Sequence, residues 1–284
     1  MADTSALRSL DRSGTRLNVV DRDVVPVTFW DDFQSSAWEP ETTAIFDACI
    51  NSDTTFLDIG AWIGPTALYG AQRAKKTLAF EPDPVAFAAL EQNVAANSDA
   101  SWADRLTIHN KAVMAKAGSL KFGSRKGGGD STSSVLFADG ETVWTVEGVA
   151  FSEVFANDVP KTGKLFAKID IEGGEYELIP AIASLLAQRD FALLLSIHAR
   201  YVTPKTKRFF TGPLKALLGR RESVAMHAKL LDAVKDFTIL NEDGTSFDID
   251  QALADLKWQG TFANALFITN KPQMFQIPGS SHAG

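Results

Sequence analysis

Apolar and polar positions change period repeatedly along the chain, and each change marks an element. TTFLDI, Thr54–Ile59, predicts a short buried strand; Gly60 and Gly64 close it, and a helix is expected over 65–73. Lys76–Phe80 predicts a second strand, after which Glu81-Pro82-Asp83-Pro84 turns into a helix ending near Asn97. Strands are expected over 106–109, in part of 111–122, over 141–147 and over 165–171, with helices over 150–155 and 176–188. Phe191–Ile197 is a continuous apolar run, as a central parallel strand requires. A basic helix is expected within 206–218, late strands over 237–240 and 263–269, and a short helix over 249–256. Strands alternating with helices at this spacing predict an α/β fold: an open, doubly wound, mostly parallel sheet with helices on both faces.

The front of the chain reads differently. Residues 1–20 show no clean period and are expected to be loose or a short helix. Residues 16–30 alternate well enough for one or two small strands, the second placed at an edge by Pro26. Trp38-Glu39-Pro40-Glu41 then leads into a helix with Pro40 near its first turn. Residues 1–50 are therefore expected to form an N-terminal cap across a main domain of residues 51–284.

Composition narrows the function classes. A net charge of −7 on 284 residues argues against a nucleic-acid scavenger, although Lys205, Lys207, Arg208, Lys215, Arg220 and Arg221 make one local basic patch. The single cysteine, Cys49, excludes an intramolecular disulfide and a cysteine zinc cage, and fits a reducing compartment. With no apolar stretch of membrane-helix length and no signal-like N-terminal run, the cytoplasm is expected and no membrane partner is.

Acids stand at the ends of successive expected strands: Asp58, Glu81, and the pair Asp170 and Glu172. Gly60 and Gly64 supply the turn geometry for a bound ligand above the first strand. A carboxylate two residues before Gly60 suits a ligand with positive charge and hydroxyl or amino donors, such as S-adenosylmethionine; the alternative is an acid that ties the loop down. Glu81, about twenty residues beyond the glycine turn, stands where such folds place the carboxylate that takes both ribose hydroxyls. Its alternative is a helix-capping acid. Asn110, after the third strand, is a candidate for contact with an adenine, and His109 stands beside it. Trp62 is open to two roles, covering a methionine moiety or packing under the cap. Lys168, Asp170 and Glu172 share a period of two before Gly173 and Gly174, and buried charges at a strand end are costly unless paired. Asp170, Glu172 and His198 are candidate bases for a hydroxyl nucleophile; His198 is equally readable as a rim histidine, and Glu175 as an acid favourably placed at a helix N-terminus. His227 and His282 read as surface residues.

These residues together resemble the FkbM family of S-adenosylmethionine-dependent methyltransferases. Asp58, Gly60, Ala61 and Gly64 match its first motif, Glu81 and Pro82 its second, and Lys168, Asp170, Glu172, Gly173 and Glu175 its third. Ser196-Ile197-His198 resembles its fifth-strand ending, with Ser196 where an acid often stands, and WEPET, Trp38–Thr42, is similar to an entry segment of such domains. The resemblance implies a class I, Rossmann-like methyltransferase that uses S-adenosylmethionine. It also implies O-methylation of a small-molecule or glycan acceptor, with Asp58, Gly60, Ala61, Gly64, Glu81 and Asn110 at the cofactor. No metal is assigned, although Asp170, Glu172 and His198 are donors that a hard divalent ion accepts. The loop Ser124–Ser134 and WEPET are expected to border the acceptor pocket. Two rivals remain: an NAD(P)-dependent oxidoreductase, whose second fingerprint glycine is here Trp62, and a non-catalytic binding protein.

Overall fold

The computed structural model of the protein describes residues 7–21, 25–124, 128–129, 142–199 and 212–280. The chain opens with a hairpin of β1 (Leu7–Arg12) and β2 (Thr15–Val20), paired antiparallel from Leu7↔Val20 to Arg12↔Thr15. This corrects the expectation of a loose or helical start. The turn Ser13-Gly14 has φ of +53° and +74°, the doubly left-handed geometry of a tight hairpin, and it leaves Leu10, Leu17 and Val19 on the buried face. The expected second strand near Pro26 is likewise replaced by a short helix, α1 (Phe29–Gln34), whose Phe29, Trp30 and Phe33 are buried.

Helix α2 (Pro40–Cys49) packs Phe46 edge-on against Phe56 and Phe166, with ring centroids 5.0 and 5.5 Å apart. The residues ahead of Asn51 thus share the core of one sheet face. Arg12 fastens them. Its guanidinium, buried in full, donates through Nη2 to the carbonyls of Trp38 (2.9 Å) and Glu39 (3.2 Å) and to Thr43 Oγ1 (2.8 Å), and lies 4.5 Å from the centre of the Phe33 ring.

β3 (Thr54–Ile59), α3 (Pro65–Ala71), β4 (Lys76–Phe80), α4 (Pro84–Ala95) and β5 (Leu106–His109) follow. Then come β6 (Ala112–Met114), β7 (Gly118–Ser124), β8 (Thr142–Ala150), α5 (Phe151–Asn157), β9 (Lys164–Ile169), α6 (Glu175–Leu186) and β10 (Phe191–Ser196). Helix α7 (Gly212–Asp232), β11 (Thr238–Asn241), α8 (Ile249–Trp258) and β12 (Ala265–Thr269) complete the chain. The expected basic helix is met by α7, which runs on to Asp232; residues 206–211, Lys205 and His282 fall outside the described residues.

Seven strands form the main sheet in the order β11-β12-β10-β9-β3-β4-β5. β5, β4, β3, β9 and β10 run parallel, while β12 is antiparallel to both β10 and β11. A reversed penultimate strand in an otherwise parallel, doubly wound sheet is what the resemblance to a class I, Rossmann-like methyltransferase implies. β6, β8 and β7 form a separate three-stranded sheet that the sequence pattern did not separate from the main one. Among the described residues no helix is long and apolar enough to cross a membrane.

One histidine is placed differently from its sequence reading. His227, on α7, is buried rather than at the surface. Its Nδ1 lies 2.8 Å from the Ser223 carbonyl, which only accepts, so Nδ1 carries the proton; Nε2 then accepts from the Tyr176 hydroxyl at 2.9 Å. α6 and α7 are joined there.

Candidate cofactor crevice and strand-end cluster

The carboxyl ends of β3, β4, β9 and β10 lie together at one edge of the sheet, where ligands of such folds bind. After β3 the chain turns through Gly60 and Gly64, with φ of +91° and +97°. A Cβ on Gly60 would stand 1.8 Å from the Asp170 carbonyl oxygen, a backbone atom that cannot give way. Only glycine lets the loop lie against the end of β9. Trp62 sits at φ +50° and packs edge-on to Phe29 of the cap, ring centroids 4.9 Å apart, while its Nε1 donates to the Gly129 carbonyl at 2.7 Å. Of its two sequence roles the structure therefore shows the one under the cap.

Asp58 is wholly buried at the end of β3. Thr66 Oγ1 donates to its Oδ2 at 2.8 Å, and its Oδ1 has no hydrogen-bond partner among the described residues. Burial pushes the carboxyl up to about 6, against the pull of Lys168 and of the Thr66 bond. Glu81, at the end of β4, accepts the N–H of Trp62 at 2.8 Å and that of Asp83 at 2.7 Å. Burial drives it up to about 8, although both N–H donors favour the charged form. Capping of α4 falls to Asp83, whose Oδ1 accepts from the Val85 and Ala86 N–H groups. Glu81 instead ties the glycine loop to the second βα turn. Asn110 is exposed, and its Nδ2 donates to the Glu81 carbonyl at 2.8 Å. Ala61 is buried within the loop.

Four of the loop's own donors are already committed. The N–H groups of Gly60 and Ala61 go to the Phe80 carbonyl, that of Trp62 to Glu81 and that of Gly64 to the Ala61 carbonyl. A dinucleotide pyrophosphate draws on such groups, so this loop is ill suited to NAD. A buried acid with an unmatched oxygen, a glycine cradle and a carboxylate at the second strand end fit a cationic nucleoside instead.

The second cluster grows from β9 and β10, whose parallel register pairs Ile169 with Leu195 and so brings Asp170 and Ser196 out side by side. Lys168 is buried, and its Nζ donates to Asp170 Oδ2 at 2.9 Å. Burial works against the ammonium, but Asp170, Glu39 and Asp58 outweigh it and raise its pKa. Burial would lift the Asp170 carboxyl, yet Lys168, His198 and a side-chain hydrogen bond from Ser196 hold it below its ordinary value. Ser196, standing in place of an acid, lies beside Asp170 in this register. His198 Nε2 lies 3.3 Å from Asp170 Oδ1 and 3.4 Å from Glu172 Oε1. Burial pulls its pKa down, but Glu175, Asp170 and Glu172 together raise it. Glu172 takes φ +50° ahead of Gly173. One ligand atom each from Asp170, Glu172 and His198 falls within 4.8 Å of the others, a set whose donors a divalent ion accepts.

Sequence reasoning found these three residues but missed two of their supports. Glu175 is wholly buried and accepts the His198 N–H at 2.9 Å and the Gly173 N–H at 2.7 Å, a role its place in a helix first turn did not disclose. Glu39, read only as part of the entry segment, adds its charge to those around Lys168 and Asp170. Of the expected acceptor loop, Ser124, Gly128 and Gly129 are described; Gly129 N–H donates to Asp83 Oδ2 at 2.9 Å, and the rest lies outside the described residues.

A family model described as the Methyltransferase FkbM domain matches residues 58–210, just over half of the chain. No curated protein matches the chain. Among solved structures, the FkbM methyltransferase of Methylobacillus flagellatus KT is 14% identical, with a TM-score of 0.45 over 87% of this chain and 55% of that one. An S-adenosylmethionine-dependent methyltransferase from Agrobacterium tumefaciens is 10% identical, with a TM-score of 0.40 over 95% of this chain and 72% of that one. The precorrin-6y C5,15-methyltransferase of Geobacter metallireducens GS-15 is 13% identical, with a TM-score of 0.35 over 81% and 85%. This chain therefore spans little more than half the length of the Methylobacillus protein. Likenesses at these scores carry no argument about substrate or residue roles.

Proposed function

The chain belongs to the FkbM family of methyltransferases, and from that premise we propose that it transfers the methyl group of S-adenosylmethionine to a hydroxyl of a small molecule or glycan. Use of S-adenosylmethionine follows from the family; the acceptor and the residue roles are our reading. The observation that carries it is the convergence of Asp170, Glu172 and His198 beside the loop of Gly60. The cofactor, when bound, supplies an electrophilic methyl group on a sulfonium. Asp58, Gly60, Ala61 and Gly64 form the crevice that receives it, Glu81 takes the ribose hydroxyls, and Asn110 stands at the adenine side.

What remains for the chain is modest. An acceptor oxygen must be brought in line with the methyl carbon, which supplies much of the rate, and its proton must leave as the new C–O bond forms. The carboxylates and imidazole at the ends of β9 and β10 sit where that proton can be taken. Asp170, already neutralised by Lys168, orients the hydroxyl; Glu172 and His198 are the accepting pair.

Isosteric variants test this. Asp170→Asn, Glu172→Gln and His198→Gln should each lower turnover, by about 10²–10⁴-fold for the base itself, with cofactor affinity little changed. Turnover within a few-fold of the parent in all three would overturn the assignment of the cluster.

A further inference from the structure

The cap brings one more carboxylate to the cofactor crevice, and its place is unusual on three counts. Glu39 is a non-glycine residue in the left-handed region, at φ 42° and ψ 59°, immediately before Pro40 opens α2. Its carbonyl and that of Trp38 are held by the buried Arg12 guanidinium, so the backbone here is fixed from behind. Its Oε2 is buried and has no hydrogen-bond partner among the described residues. A buried carboxylate oxygen left without a donor is costly and calls for an explanation.

The surroundings say what is missing. Trp38 and Trp62 both pack on Phe29, ring centroids 5.4 and 4.9 Å apart, so the Glu39 segment lies beside the glycine loop. Lys168 and Asp170 are the strongest charges acting on Glu39, and Glu39 in turn acts on Asp58. Asp58 Oδ1 is a second buried oxygen without a partner in this charged neighbourhood. One ammonium, Lys168, thus faces the carboxylates of Asp170, Glu39 and Asp58, and its recorded hydrogen bond goes to Asp170. What this neighbourhood lacks is a donor for the two buried oxygens, Glu39 Oε2 and Asp58 Oδ1.

We propose that Glu39, together with Asp58, binds the α-ammonium group of the methionine moiety of S-adenosylmethionine, making the N-terminal cap part of the cofactor site. An ammonium carries three N–H donors, enough for both unmatched oxygens. This assignment rests on the cofactor reading above, and Glu39 lies outside the family-matched residues 58–210.

The test compares ligands that differ only in the amino-acid end. Affinities for S-adenosylhomocysteine and for 5′-methylthioadenosine, which has the nucleoside but no ammonium, are measured by calorimetry on the parent, Glu39→Gln and Glu39→Asp. Expected is at least a tenfold loss for S-adenosylhomocysteine in Glu39→Gln, a smaller loss in Glu39→Asp, and methylthioadenosine affinity unchanged in both. Equal losses for both ligands, or none for either, would overturn the role of Glu39 while leaving the cofactor reading intact. A parent that binds neither ligand would overturn the cofactor reading itself. Thermal melting confirms folding; should Glu39→Gln fail to fold, the selectivity of Glu39→Asp between the two ligands decides alone.

Discussion

Glu175 grips His198 from behind. One carboxylate oxygen accepts the His198 main-chain N–H at 2.9 Å and lies 3.4 Å from the ring Nδ1, which leaves Nε2 directed at Asp170 and Glu172. The other oxygen accepts the N–H of Gly173 at 2.7 Å. A wholly buried acid of this kind positions a histidine as the outer partners of metal-bound histidines do. Glu175→Gln should lower turnover by about 10–100-fold and shift the pH profile of turnover, with S-adenosylmethionine affinity unchanged. A variant that only melts earlier, with turnover and pH profile of the parent, would make Glu175 a folding residue.

Gly60 admits no side chain. Gly60→Ala would place a Cβ against the Asp170 carbonyl at a φ that alanine avoids, so the loop must move away from β9. Cofactor affinity should fall more than about tenfold, or roughly 1.4 kcal/mol. Binding at parental affinity in calorimetry would show that the loop does not carry the cofactor.

Protons should accompany cofactor binding. Burial lifts the Glu81 carboxyl to about 8 in the free protein, so at neutral pH it holds a proton. Ribose hydroxyls donate best to a carboxylate, so binding expels that proton, and affinity should rise with pH up to about 8 and then level. Calorimetry in two buffers of different ionisation enthalpy reads the release directly. Identical apparent enthalpies in both would contradict it.

Stability should carry the mark of His227. Burial lowers its pKa, against the Ser223 carbonyl bond and the charge of Glu175. The unfolded chain titrates near its ordinary value of about 6.5. Below that the unfolded state binds the extra proton, so stability is full above it and falls as the pH drops toward the folded value, by up to about 1.4 kcal/mol per pH unit. Urea midpoints between neutral and mildly acidic pH should show this slope, reduced in His227→Gln. An unreduced slope would place it elsewhere.

Chelation should leave turnover unchanged. Lys168 already balances Asp170, and the imidazole lies between Asp170 and Glu172. Activity lost to a chelator and restored by magnesium or manganese would instead make Asp170, Glu172 and His198 ligands.

Much of this was legible in the sequence because the governing forces are local. The apolar runs at Phe56 and Leu193 had to be buried strands, and Gly60 and Gly64 had to turn between a strand and a helix. The hairpin was missed because its signal is confined to Ser13-Gly14, while the strands around it carry charges such as Arg12 that normally mark a surface. Arg12 is buried because carbonyls and rings from Phe33 to Thr43 surround it, and no local pattern announces them. His227 was misread for the same reason: its Tyr176 partner is 51 residues away on another helix. The site residues were recognisable by type and position, but their convergence was not. Asp170 and His198 meet only because β9 and β10 are neighbours in register.

The packing of Trp38 and Trp62 on one phenylalanine has a practical side. Phe29 touches both indoles, one from the cap and one from the glycine loop, and the Trp62 ring also bonds to Gly129. Indole emission depends on the polarity and hydrogen bonding around the ring, so two of the chain's six tryptophans should change their emission if a cofactor in the proposed crevice shifts the loop or the segment before α2. Titration with S-adenosylhomocysteine of the parent and of single Trp38→Phe and Trp62→Phe variants tells which of the two sides responds.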